Sequence, residues 1–264
     1  MTVREFTLPG PLVLLPGLGA GPGLLQPQRE LFGPDLVTPD WIPPRGAESL
    51  ARYAERWAQS IRAALPDDGR PVCVGGVSFG AMIALDLAQH LGAHAVCVVA
   101  GCVARDEVPS SFLLARKLGA LVPTMFWPPA VKALALPFSL IDGAGDDGVR
   151  LLQAEASRAA MDVLRWGAAA AAEWDGPEHP DRLPPVRRAH GKFDWVIPCP
   201  AQGVDRVLDD GKHLIHLTHR RSVAGFLEDA CYQATGAPRR LPAEDQPASW
   251  GDMPGLAATP VGAA

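Results

Sequence analysis

A chain of 264 residues is long enough to bury a substantial core, and a net charge of −5 argues against nucleic acid or an anionic membrane surface as a general partner. Hydrophobic residues make up 48% and charged residues 20%, the balance of a globular protein, and no run of 18 apolar residues suggests a membrane span. In chain order, residues 11–15 are a continuous apolar run, which predicts a buried strand feeding the glycine-rich loop 16–23. Residues 35–38 predict a second short strand. Residues 47–65 carry Leu50, Tyr53, Ala54, Trp57 and Ile61 at helical spacing. Residues 71–75 predict a strand, 81–91 an amphipathic helix, and 94–100 another strand. Residues 104–175 contain no strand pattern and predict helices at 110–121, 129–136 and 148–174. Strands return at 186–189 and 203–208, and 222–235 predicts the closing helix. Strands alternating with helices imply βαβ units, right-handed crossovers and a mostly parallel sheet.

This reads as a single α/β domain over residues 1–235, with no internal repeat. Residues 236–264 are rich in Pro, Ala and Gly and lack periodicity, so a loosely ordered tail is expected there. The helical insertion at about 104–175 follows a core strand, a position that suits a lid over a pocket. Phe112, Phe126, Trp127, Leu134 and Phe138 within it, with Trp166 on the returning helix, are the candidate pocket residues; each could also simply pack on the sheet. No signal peptide is expected, because residues 12–15 are too short for its apolar region and Pro9, Pro11 and Pro16 interrupt it. The five cysteines form no C-x-x-C pair and are odd in number, which argues against a zinc site and a disulfide framework and suggests a reducing cytoplasm.

The chemistry concentrates in three segments. The first is Gly76-Val77-Ser78-Phe79-Gly80, between a predicted strand and a predicted helix. In that context G-x-S-x-G is a nucleophile elbow, a turn so sharp that a Cβ two residues either side of Ser78 would collide with its neighbours. A serine hydroxyl is a poor nucleophile unless a base lies within hydrogen-bond reach and a third group orients that base. The second segment, His190-Gly191-Lys192-Phe193-Asp194, sets a carboxylate just past the C-terminal end of a strand, the edge of a parallel sheet where ligands bind. The third, Gly211-Lys212-His213, follows the last strand and can reach back over the elbow.

These motifs, in this order, resemble the α/β-hydrolase superfamily of serine esterases, lipases and thioesterases, over about residues 11–227. The resemblance implies Ser78 as nucleophile, Asp194 as orienting acid and His213 as base. It also implies an oxyanion hole built from the backbone N–H groups of Leu18 and Phe79. The fold it implies is a mostly parallel sheet flanked by helices, with a helical lid and an N-terminal hairpin absent or reduced to residues 3–7.

Some positions depart from the pattern. Pro16-Gly17 replaces the usual His-Gly, which a backbone donor should tolerate. Ala81 replaces a frequent glycine. Lys212 stands where glycine commonly precedes the histidine and is expected to point to solvent. The short gap from Asp194 to His213 leaves room for a turn in place of a helix. Among competing residues, His216 and His219 lack a carboxylate at metal-ligand spacing. His190 is expected to end a strand with a structural hydrogen bond. Asp142, Asp146 and Asp147 read as loop acids without EF-hand spacing, and Asp175 as a helix end. No nucleotide-cofactor motif is complete, because residue 22 is Pro in the Gly17-x-Gly19-x-Gly21 run.

The expected activity is hydrolysis of a small-molecule carboxylic ester with an apolar acyl or alkyl portion, through an acyl-enzyme and without a cofactor or metal. A thioesterase or acyltransferase, a carbon–carbon bond hydrolase, and a non-catalytic binding module with a vestigial triad remain as alternatives.

Overall fold

A computed structural model describes residues 5–112 and 127–239. Six strands form one sheet: β1 (Leu12–Leu15), β2 (Leu36–Val37), β3 (Cys73–Val77), β4 (Val96–Val99), β5 (Val186–Gly191) and β6 (Arg206–Leu208). Their order is β2-β1-β3-β4-β5-β6, and every neighbouring pair is parallel. All six strands lie where the apolar runs predict them. β1, β3 and β4 are buried along their whole length. That explains their unbroken apolar character, since a sheet covered on both faces needs no polar alternation.

Side-chain alternation then sorts these residues between two cores. Val13, Leu15, Val74, Val96 and Val98 face the layer that contains α2 (Leu50–Ala64) and α3 (Phe79–Leu91). Leu12, Leu14, Cys73, Cys97 and Val99 face the opposite layer, with α1 (Gln26–Phe32) and the closing helix Arg220–Thr235. α2 begins at Leu50, later than the pattern suggests, because Ser49 is its N-cap and accepts the Arg52 N–H. α3 is buried from Phe79 to Ala88 and stops at Gly92, which takes the left-handed conformation.

Three helices stand between β4 and β5: α4 (Trp127–Asp142), α5 (Gly145–Arg158) and α6 (Met161–Glu173). They correct the sequence reading twice. α4 runs through Pro137 to Asp142, where the pattern suggested an end at residue 136. The expected single helix 148–174 is two, separated by Ala159 and Ala160, whose ψ angles of 127° and 108° leave the helical range. No glycine or proline marks that break. It comes from tertiary packing, since α5 lies along α4 while α6 turns onto α3. The helix expected at 110–121 lies outside the described residues beyond position 112, and residues 5–11 carry no strand. The chain then continues through β5 and β6 to the short helix α7 (Ile215–Thr218) and to α8 (Arg220–Thr235), with no helix between β5 and β6. Among the described residues, no helix is long and apolar enough to cross a membrane.

Candidate active site

Ser78 sits between β3 and α3 with φ 54° and ψ −118°, a conformation that costs a non-glycine residue about 1–3 kcal/mol. The surrounding backbone forces it. A Cβ on Gly76 would lie 2.2 Å from the Gly80 carbonyl carbon, and one on Gly80 would lie 2.4 Å from the Pro16 carbonyl oxygen. Both glycines therefore let α3 start directly against β1 and β3. The Ser78 N–H is held by the Val99 carbonyl at 2.9 Å. Ala81, unusual for the motif, is fully buried where Gly101 leaves it room: a Cβ on Gly101 would lie 2.6 Å from the Ala81 methyl.

The other two segments meet above the serine. A Cβ on Gly191 would fall 2.1 Å from the Lys212 carbonyl oxygen, so glycine at 191 is what allows the loops after β5 and β6 to touch. Asp194 Oδ1 accepts the N–H groups of Val196 and Ile197, each at 2.9 Å. Its Oδ2 lies 2.8 Å from His213 Nδ1, and His213 Nε2 lies 3.0 Å from Ser78 Oγ. The structure thus brings Ser78, His213 and Asp194 into one hydrogen-bonded chain, with Nδ1–H donating to the carboxylate and the serine O–H facing Nε2. His190 ends β5 with its Nε2 donating to the Ile197 carbonyl at 2.8 Å, and the same nitrogen lies 3.2 Å from Asp194 Oδ2. Burial pushes the Asp194 carboxyl up. Hydrogen bonds from His190 and His213, with the His213 charge and the Ile197 N–H, more than reverse that and hold it well below the usual carboxylate range.

Leu18 and Phe79 border the same point. A Cβ on Gly17 would sit 3.7 Å from the Ser78 Cβ, so the Leu18 loop lies against the serine, and Phe79 is the first residue of α3. Among the described residues, no acceptor meets the N–H of either. α6 closes over both through Gly167, where a Cβ would lie 2.5 Å from Leu18 Cδ1 and 3.0 Å from the Phe79 ring.

A cavity of about 850 Å³ opens onto Ser78 and His213, lined mainly by apolar groups such as Leu24, Phe112, Phe138 and Trp166. Trp166 is fixed by stacking on Tyr53 at 4.3 Å between ring centroids and by its indole N–H, which donates to the Glu48 carbonyl. Of the other candidate pocket residues, Leu134 does not line the cavity. It is 65% exposed on α4, so its side chain lies on the surface, while Phe138 one turn later lines the cavity. Phe126 and the side chain of Trp127 lie outside the described residues.

Further corrections come from the histidine loop. Lys212 is half-buried, and its ammonium, at an exposed position, donates to the Ile141 carbonyl at the end of α4, where a cation suits the helix C-terminus. Asp142 is not a loop acid. It ends α4, is 4% exposed, and accepts the N–H groups of His213 (3.0 Å) and Leu214 and the Trp195 indole N–H (3.1 Å). Glu155 on α5, equally buried, accepts the Gly21 N–H at 3.0 Å and so holds the loop that carries Leu18. Sequence reading missed both acids. Asp142 sits in a polar Asp-Gly helix end, and Glu155 in a charged helix, where solvent is the default partner. Asp175, by contrast, is exposed and pairs with Arg105, away from the site. His219 pairs with Asp210. Among the described residues, no group of three or more His, Cys, Asp or Glu is arranged to hold a metal.

No family model and no curated protein matches the sequence. Solved structures do match. A thermophilic esterase from Thermogutta terrifontis superposes with a TM-score of 0.66 at 17% identity, over 87% of this chain and 92% of that one. The N-acyl homoserine lactonase AidH, complexed with N-butanoyl homoserine, gives 0.63 at 17% identity over 88% and 92%. A lipase-esterase related protein from Clostridium acetobutylicum gives 0.63 at 13% identity over 87% and 98%. With its parallel six-stranded sheet, its strand–serine–helix elbow and these neighbours, the chain adopts the α/β-hydrolase fold.

Proposed function

We propose that the protein is a serine hydrolase that cleaves small carboxylic esters by two-step acyl transfer. The observation that carries this reading is the continuous Ser78–His213–Asp194 hydrogen-bond chain at the wall of an apolar cavity. Ser78 Oγ attacks the acyl carbonyl carbon while its proton passes to His213 Nε2. Asp194, ionised and held by three donors, fixes the Nδ1–H tautomer and stabilises the imidazolium. The N–H groups of Leu18 and Phe79 take the oxyanion, a contribution of about 10²–10³-fold in rate per donor. His213 then returns the proton to the leaving oxygen, and the alcohol departs. Water, deprotonated by His213, releases the acid and restores Ser78.

Phe112, Phe138 and Trp166 give the substrate an apolar acyl or alkyl portion, with α4, α5 and α6 acting as the lid. Esterases and a lactonase among the structural neighbours support an ester bond, open-chain or cyclic, over a thioester. A panel of p-nitrophenyl esters of increasing chain length, run beside acyl-thioesters and a lactone, tests this. The reading requires ester turnover that Ser78→Ala abolishes. Turnover confined to thioesters would move the protein to the thioesterase class.

A further inference from the structure

In the loop that carries Leu18, two distant side chains grip one peptide unit from its two polar ends. The Ala20 carbonyl accepts the Trp41 indole N–H at 2.6 Å, and the N–H of the same peptide, on Gly21, donates to Glu155 Oε2 at 3.0 Å. Trp41 comes from the chain between β2 and α2, and Glu155 from α5 in the inserted helices. Neither lines the cavity that opens onto Ser78. Both line a second cavity of about 370 Å³, which among the described residues shares only Gly19 and Ala20 with the first. The loop is thus gripped from the side away from the substrate.

The grip is firm at both ends. The Tyr53 hydroxyl donates to the Ile42 carbonyl at 2.7 Å and accepts the Ile42 N–H at 3.1 Å, which fixes the backbone beside Trp41. The Trp41 ring stacks on Trp57 at 4.9 Å between centroids and packs against the Phe79 ring at 5.9 Å. One side chain therefore touches both Phe79 and the Leu18 loop. Glu155 is 4% exposed, so its carboxylate has little freedom to turn away.

The loop needs such support. From Gly17 to Gly23 every second residue is glycine, and glycine leaves the backbone free to populate many conformations. Local bonding fixes one corner: the Ala20 N–H donates to the Gly17 carbonyl at 3.3 Å, closing a turn around Leu18 and Gly19. Gly19 has φ 80°, the value a type II turn takes at its third residue. Gly17 anchors one end of this turn against Ser78, and the clamped peptide anchors the other. A donor aimed at a developing charge is effective when it is in place before the reaction.

We propose that Trp41 and Glu155 are positioning residues for the oxyanion hole, which hold the Leu18 N–H in line by clamping the Ala20–Gly21 peptide between them. This rests on the ester-hydrolase reading and adds to it two residues that do not meet the substrate.

The test uses Trp41→benzothienylalanine, which keeps the two-ring shape and replaces the indole N–H by sulfur, with Glu155→Ala, Glu155→Gln and the double variant of Trp41→benzothienylalanine with Glu155→Ala. Each is assayed with a p-nitrophenyl ester that wild type turns over, and with an alkyl trifluoromethyl ketone. Ser78 Oγ adds reversibly to that ketone carbon, the serine proton passes to His213, and the new oxyanion occupies the hole. Hydrogen exchange of the amides at 16–25 reads the loop itself. Trp41→benzothienylalanine and Glu155→Ala are each expected to lower kcat by about tenfold to 10²-fold with KM little changed. Ketone affinity should weaken by a similar factor, and loop exchange should quicken. Glu155→Gln, which keeps an acceptor, should retain most of the rate. The double variant should lose little more than the weaker single one, because both grips act on one peptide.

Unchanged kcat in Trp41→benzothienylalanine would make Trp41 a packing residue and overturn the clamp. Faster loop exchange with kcat and ketone affinity intact would overturn it too, as would losses that multiply in the double variant. These outcomes leave the hydrolase reading standing. A wild type that neither turns over an ester nor binds the ketone would overturn that reading, and the clamp's catalytic role with it.

Discussion

Asp142 holds His213 by its backbone: the carboxylate at the end of α4 accepts the His213 N–H at 3.0 Å and the Leu214 N–H beside it. Two acids thus fix one histidine, Asp194 through the ring and Asp142 through the main chain. The second comes from the inserted helices, so the placement of His213 depends on α4 being docked. Lys212 strengthens the same junction through the Ile141 carbonyl.

Removing Asp142 should therefore impair the rate more than substrate binding. Asp142→Ala leaves two buried N–H groups and the Trp195 indole without an acceptor, at about 1–3 kcal/mol for each group that water does not reach. The expected result is a fall in kcat of about tenfold or more, because small misplacements of a catalytic group are costly. KM should change little, and thermal stability should drop. Asp142→Asn, which keeps one acceptor oxygen, should lose less on both counts. Steady-state kinetics beside thermal melts would check this; a KM effect with kcat intact would contradict it.

Glu155 plays the matching part for the Leu18 loop. Gly21 and Gly23 leave space for its carboxylate: a Cβ would lie 2.8 Å from Oε2 at Gly21 and 2.3 Å from Oε1 at Gly23. Gly23→Ala should accordingly displace Glu155 and the loop, with kcat falling by up to about 10²-fold if one oxyanion donor is lost. The same fall is expected for Glu155→Ala. Equal activity of both variants and wild type would show that the loop holds its shape without the acid.

The strain at Ser78 gives a test independent of substrate. Glycine occupies φ 54° without the steric cost that serine bears there. Ser78→Gly should be inactive yet more stable than Ser78→Ala by about 1 kcal/mol or more, measured by chemical denaturation. Equal stabilities would mean that the elbow is not strained in solution.

The strands, the elbow and the segments that carry Asp194 and His213 were all legible because they depend on local patterns. Apolar runs mark strands buried on both faces, and the glycines at 76, 80 and 191 mark backbone contacts too close for a Cβ. What stayed hidden depends on tertiary packing. The break at Ala159–Ala160 has no breaker residue, and helix propensity alone would bridge it. Asp142 and Glu155 look like ordinary solvated acids until the fold brings them against partners 71 and 134 positions away in the chain. His216 reads as a possible ligand, yet among the described residues neither of its ring nitrogens has a hydrogen-bond partner.

Acid should destabilise the protein in a window that His216 defines. The unfolded chain binds a proton at this residue near its ordinary value of 6.5, while the folded chain refuses it until about pH 3. Between those values the unfolded state carries more protons, so stability falls with falling pH, by at most about 1.4 kcal/mol per unit from this group. Above pH 6.5 the group contributes nothing to the slope. His216→Phe should flatten the stability profile between pH 6 and 4, as read by urea midpoints. Asp194 acts lower: its depressed carboxyl stabilises the fold above the usual carboxylate range and loses that effect as pH falls through its lowered value. A profile unchanged by His216→Phe would place the ring in contact with water.

The central claim is that Ser78 is an activated nucleophile, and covalent labelling tests it without any assumption about substrate. The folded protein treated with a fluorophosphonate should gain the mass of one adduct, located on Ser78 by peptide mass spectrometry, and His213→Ala and Ser78→Ala should gain none. Folded wild-type protein that stays unlabelled, or that labels equally well in His213→Ala, would contradict the account.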